Sequence, residues 1–157
     1  MKAVITFVIL CAICASSAFA RIGETESQIE ARYGKPVVTF SKGKERPRKG
    51  YLSAGFRITV SYLDGVSASE IYQKPDQSKL SQTEIDTLLA ANSGGGTWAE
   101  SPLVISGLQQ WKTGGESNER TAAYVESNGS LLFTTKRLFD LERTEKAQAE
   151  KAKLKNF

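Results

Sequence analysis

Five cations stand within eight positions, Lys42, Lys44, Arg46, Arg48 and Lys49, with Glu45 the single acid among them. A cluster of this sign suits phosphate-bearing polymers, acidic lipid headgroups or an acidic protein surface. No aromatic side chain is interleaved with these cations, so stacking on single-stranded nucleic acid is not expected. The same run also reads as a solvated loop, Ser41 to Gly50. Tyr51, Trp98 and Trp111 are the other binding candidates, because large aromatic side chains anchor interfaces. Their alternative place is the core.

Catalytic constellations are scarce. The chain has no histidine, and its two cysteines, Cys11 and Cys14, fall inside an apolar N-terminal run. The commonest general base, the thiolate nucleophile and the usual zinc ligands are therefore missing from the rest of the chain. No metal site and no cofactor is expected. Carboxylate chemistry needs two acids across a cleft, and Glu70 is the best single candidate, with no partner evident. On a half-buried strand it reads more simply as an outward-facing glutamate. Asp64 is needed as a turn residue. Ser41 and Lys44 match a Ser-x-x-Lys spacing but fall in a basic, glycine-bearing loop instead of at the start of a buried helix. "GGGT", Gly94 to Thr97, lacks the Lys-Ser/Thr ending of a phosphate loop and follows a helix.

The first twenty residues carry Lys2, the run "VITFVILCAICA" and then "SSAFA", with Ala18 and Ala20 placed for signal-peptidase cleavage. This order predicts a signal peptide over residues 1–20 and an exported protein, periplasmic or secreted. Ser16 and Ser17 interrupt the apolar run well short of the ~20 residues a membrane span needs, so no transmembrane span is expected after cleavage. Neither cysteine follows a small residue, which argues against lipid attachment. Removing Lys2 leaves 20 Lys plus Arg against 17 Asp plus Glu, a net charge of +3. That balance falls short of a nucleic-acid-binding signature. The remaining chain suits one domain, residues 21–139, followed by a charged helical tail, residues 140–157.

The elements that position these residues are readable in part. Thr25 and Gln28 form a capping box for a short helix ended by Gly34, and Pro36 precedes a strand, "VVTF". Phe56, Ile58, Val60 and Tyr62 alternate with polar residues as a half-buried strand does. Asp64-Gly65 predicts a two-residue hairpin in which Ile58 faces Ile71 and Thr59 faces Glu70. Ser81 and Glu84 cap a second helix with Ile85, Leu88 and Leu89 on its apolar face. Trp98 is placed in the outgoing loop and "SGLQQWKTGG" in a strand. Asn128-Gly129 turns a second hairpin, with Tyr124 opposite Phe133 and Val125 opposite Leu132. The tail from Asp140 reads as a solvated helix. The order suggests a duplicated α-β-β-β unit. The fold class expected is α+β: an antiparallel sheet of hairpins with two short helices on one face and a polar C-terminal helix.

"GETESQIEARYGKP", "ITVSYLDG", "LSQTEIDTLLAANSGG" and Trp98 together resemble a family of small exported bacterial proteins; the resemblance implies export and brings no activity. The first of these stretches also resembles the Gly-x-Thr-helix-Gly-x-Pro entry of SmpA/OmlA-type outer-membrane lipoproteins, on Gly23, Thr25, Gly34 and Pro36. That resemblance extends to the β-lactamase-inhibitor proteins and implies helices packed on an antiparallel sheet. The expected function is a non-enzymatic binding module of the periplasm or envelope, with an unidentified protein or an anionic envelope polymer as partner. The alternatives are a structural envelope component held by the basic loop, and an enzyme using carboxylate or lysine chemistry.

Overall fold

The computed structural model describes residues 22–40, 46–102, 105–114 and 119–154. The expected signal peptide lies outside the described residues, as do Lys42 and Lys44. Helix α1, Glu26–Tyr33, opens on its capping box, with the Thr25 amide donating to Gln28 Oε1 at 2.9 Å. Gly34 ends it at a φ of 84°. Helix α2, Gln82–Asn92, opens the same way: the Ser81 amide donates to Glu84 Oε2 at 2.7 Å.

Each of these two helices leads into four strands. The first set is β1 (Val38–Phe40), β2 (Arg48–Ser53), β3 (Phe56–Leu63) and β4 (Val66–Gln73). The second is β5 (Trp98–Glu100), β6 (Leu108–Thr113), β7 (Arg120–Val125) and β8 (Ser130–Thr135). All eight join one antiparallel sheet in the order β1-β2-β3-β4-β8-β7-β6-β5. The halves are thus mirrored in strand order about a seam between β4 and β8. The repeated unit is one helix and four strands, one strand longer than expected. The two strands missed are β2, concealed by its charged composition, and β5, a three-residue edge carrying Trp98.

Ile29 and Tyr33 of α1 and Ile85, Leu88 and Leu89 of α2 share one buried cluster with the inward residues of the sheet. Tyr51, Ile58, Val60, Tyr72, Leu131 and Phe133 form its centre. Each large apolar side chain so enclosed contributes about 1.5–3 kcal/mol. Gly50 lets β1 approach β2: a Cβ there would meet Val38 Cγ1 at 2.5 Å.

Two registers differ from expectation. Leu63 pairs with Val66 across Asp64-Gly65, as the two-residue turn requires, and Tyr62 pairs with Ser67. Ser61 then pairs with Ser69, leaving Ala68 as an extra residue in β4. This bulge moves every later pair by one place, so Ile58 faces Tyr72, Thr59 faces Ile71 and Val60 faces Glu70. In the second hairpin a single turn of 3-10 helix over Glu126–Asn128 lengthens the connection. Tyr124 accordingly faces Leu131, and Val125 faces Ser130.

The C-terminal helix α3, Lys136–Leu154, begins four residues before the expected tail, taking in Lys136 to Phe139. Leu138 is its buried residue; most of its length is exposed. No described helix is long and apolar enough to cross a membrane.

Candidate functional site

The described cations of the basic run are drawn into the structure. Arg46 Nη2 donates to Glu145 Oε1 at 2.6 Å and Nη1 lies 3.6 Å from Glu142 Oε1, which ties the run to α3. Lys49 lies on the inward side of β2 and donates to Glu26 and, at 3.3 Å, to Glu30, both on α1. The bond to Glu26 is the main cause of the raised Lys49 pKa. Arg48, in β2 instead of a loop, sits 5.9 Å above the Phe40 ring.

The aromatic candidates point inward. Tyr51 is fully enclosed and its hydroxyl lies 2.9 Å from that of Tyr62. Burial raises the pKa of both phenols, that of Tyr62 far above the usual range. Trp111 belongs to the core, and the half-buried Trp98 donates its indole N–H to the Leu89 carbonyl at 2.6 Å. Its ring lies 5.9 Å from Phe133.

The exposed large apolar residues are different ones. Phe40 is 44% exposed, Leu52 54% and Ile71 36%, with Val38 beside them. All four occupy strand positions facing away from α1 and α2, because residues two apart share a face and paired residues share it too. Following the pairing gives one row straight across the sheet: Val38, Gly50, Thr59, Ile71, Leu132, Ala123 and Gln110. Flanking rows supply Arg48, Arg57 and Lys112, and no Asp or Glu occupies an outward position of the described strands. A cleft of about 550 Å³ lies between this face and α3, with Ala123, Leu132 and Thr134 on one side and Phe139, Arg143 and Asp140 on the other, and Glu119 also borders it. The signal for this surface was present in the sequence as apolar residues in the polar phase of an alternating strand.

Glu70 is not the outward residue expected. The Ala68 bulge reverses the phase of β4 beyond it, so Glu70 faces the core with no exposed surface. There the Tyr33 hydroxyl donates to Glu70 Oε2 at 3.0 Å, and the Tyr72 hydroxyl donates to the same oxygen. The two phenol oxygens are 2.7 Å apart. Nearby, Arg120 donates to the carbonyls of Asn92 at 2.9 Å and Ile22 at 3.1 Å, closing the end of α2 against the first described residues. Burial lowers the Arg120 pKa and the Glu70 carboxylate opposes that shift. Among the described residues no group of three or more acidic, histidine or cysteine side chains comes together as metal ligands would.

No protein-family model matches the chain, and no curated protein matches it. Among solved structures, a cysteine-rich secretory protein from Staphylococcus aureus subsp. aureus Mu50 aligns with a TM-score of 0.42 and 9% identity. The alignment covers 74% of this chain and 45% of that one, so this chain spans less than half of that protein's length. Likeness at this level transfers no property to the present chain.

Proposed function

We propose that the chain is an exported, non-enzymatic binding module that holds a partner protein against the outward face of its sheet. The observation that supports this is the cross-sheet row from Val38 to Gln110, apolar or small over most of its length, with Arg48, Arg57 and Lys112 in the flanking strand positions and acids only where α3 and Glu119 border it. Such a face suits a partner surface that is apolar at its centre and acidic at its rim. Anchoring through the basic run is the weaker reading, since Arg46 and Lys49 already meet acids of the same chain.

The test is capture by the immobilised chain, residues 21–157, from envelope extract and spent medium of the source organism, washed at low and then high salt. Ile71→Glu alters the outward face, and Ala90→Glu alters the exposed side of α2. One protein retained through high salt by the unaltered chain and by A90E, and lost by I71E, is the expected result. Retention by I71E, or no protein retained at all, overturns the proposal.

A further inference from the structure

On the opposite side of the sheet, a cleft of about 380 Å³ opens between the last turn of α1, the β2–β3 turn and the first half of α2. Its size lies at the small end of the ~300–1,000 Å³ typical of ligand clefts. Phe56, Ile58 and Leu88 line it together with Tyr33 and Tyr72, and polar residues of α1, α2 and the β2–β3 turn border it as well. Phe56 meets Tyr72 edge-on, ring centres 6.2 Å apart at 87°. We propose that this cleft binds a small, uncharged aromatic molecule bearing one hydroxyl group, with that hydroxyl joined to the Tyr33–Tyr72–Glu70 cluster.

Three observations converge on that chemistry. First, the charged groups of the rim are already matched: Arg32 pairs with Glu24, and Glu84 pairs with Lys74 at 3.0 Å while capping α2. An ionic ligand would have to displace an existing partner, so a neutral one is favoured. Second, flat apolar walls with an aromatic edge favour an aromatic ring, which stacks or packs edge-on at such distances. Third, the phenol protons of Tyr33 and Tyr72 are directed within the cluster, towards Glu70 or one another. A phenol oxygen accepts as well as donates, so a ligand O–H donating to Tyr33 Oη extends the chain that ends on the carboxylate.

Strand pairing alone does not require an acid at this place, although Glu70 also offsets the burial of Arg120. In β8 the residue directly opposite Glu70 across the seam is Phe133, equally enclosed and wholly apolar. A buried carboxylate is costly where a hydrocarbon would pack. Its presence beside the cleft, under two of the cleft's own lining residues, is accounted for when the cluster also receives a ligand.

Calorimetric titration of residues 21–157 with phenol and, separately, toluene tests the proposal, repeated on Tyr33→Phe and Thr87→Trp. Phenol is expected to bind roughly 3- to 10-fold more tightly than toluene, the difference carried by one hydrogen bond. In Y33F that preference disappears while toluene binding persists. Thr87 lines the cleft from an exposed position on α2, so T87W fills the opening without entering the core, and both probes lose their site. Equal affinity for the two probes, no binding to the unaltered chain, or unchanged binding to T87W overturns the proposal. If Y33F does not fold, the phenol–toluene comparison and T87W still decide it.

Discussion

Glu70 and Phe133 face each other across the seam between β4 and β8, an acid and a phenyl ring, neither with exposed surface. Around them the two halves of the sheet differ in chemistry while agreeing in path. On the acid side two hydroxyls meet Glu70 Oε2: Tyr33 from α1 and Tyr72 from the same strand. The phenyl side packs against Tyr72 at 5.8 Å and Trp98 at 5.9 Å. The centre of the molecule is therefore a mixed polar and aromatic junction.

Removing the Tyr72 hydroxyl takes one donor from a buried carboxylate. Tyr72→Phe is expected to lower the unfolding free energy by about 1.5–3 kcal/mol, the range for hydrogen bonds to charged groups. Thr59→Ala, on the outward side of β3, should change it by no more than about 0.5 kcal/mol. Urea denaturation of both variants checks the contrast.

Burial raises the folded-state pKa of Tyr51 and Tyr62 above the unfolded value of about 10. Protons are thus held more tightly in the folded state. The corresponding stabilisation is whole below pH ~10 and is lost as pH rises through the folded values. Ultraviolet titration should show the Tyr62 phenol still unionised at pH ~11, above the ordinary phenol value, until the chain unfolds, and its ionisation below that pH in the folded protein would contradict the buried pair.

Gly65 and Gly129 both adopt positive φ, at 80° and 61°. A Cβ on Gly65 meets nothing within 4 Å, whereas one on Gly129 would lie 2.5 Å from the Ser78 carbonyl oxygen. Gly65→Ala should cost about 1–2 kcal/mol, the strain of the left-handed region. Gly129→Ala should cost more, because the linker before α2 must also move. Thermal melts of the two variants give the order directly.

Arg46 joins the segment before β2 to Glu142 and Glu145 in the middle of α3. Arg46→Ala should speed amide hydrogen exchange in α3 beyond Glu142 while changing global stability by less than about 1 kcal/mol. Unchanged protection of that stretch would show that the helix is held by its other contacts, Leu138 and the Arg137–Asp64 pair among them.

Features that depend on near neighbours in the chain were legible: both capping boxes, the Gly34 stop and the Asp64-Gly65 turn. Features that depend on distant chain were not. The Ala68 bulge leaves no mark in an alternating pattern, yet it decides which way Glu70 points. The run from Arg48 to Gly50 looks like loop by composition, and it becomes a strand because Lys49 reaches α1 and Gly50 admits Val38. Trp111 and Tyr51 read more simply as core than as surface anchors, and the sheet does close over them. The outward row was hidden for a related reason: its seven members come from seven strands, and no stretch of sequence contains two adjacent ones.

The meeting of Glu70 with Phe133 bears on how such a molecule could come into being. Were the two halves identical copies on separate chains, any residue placed in the seam strand of one would appear in the seam strand of the other as well. Two acids would then be buried near one seam, at twice the desolvation cost and with mutual repulsion. Carrying both halves on one polypeptide removes that constraint, because each side of the junction can change alone. A single buried acid beside an aromatic ring is therefore a consequence of joining two unlike halves in one chain.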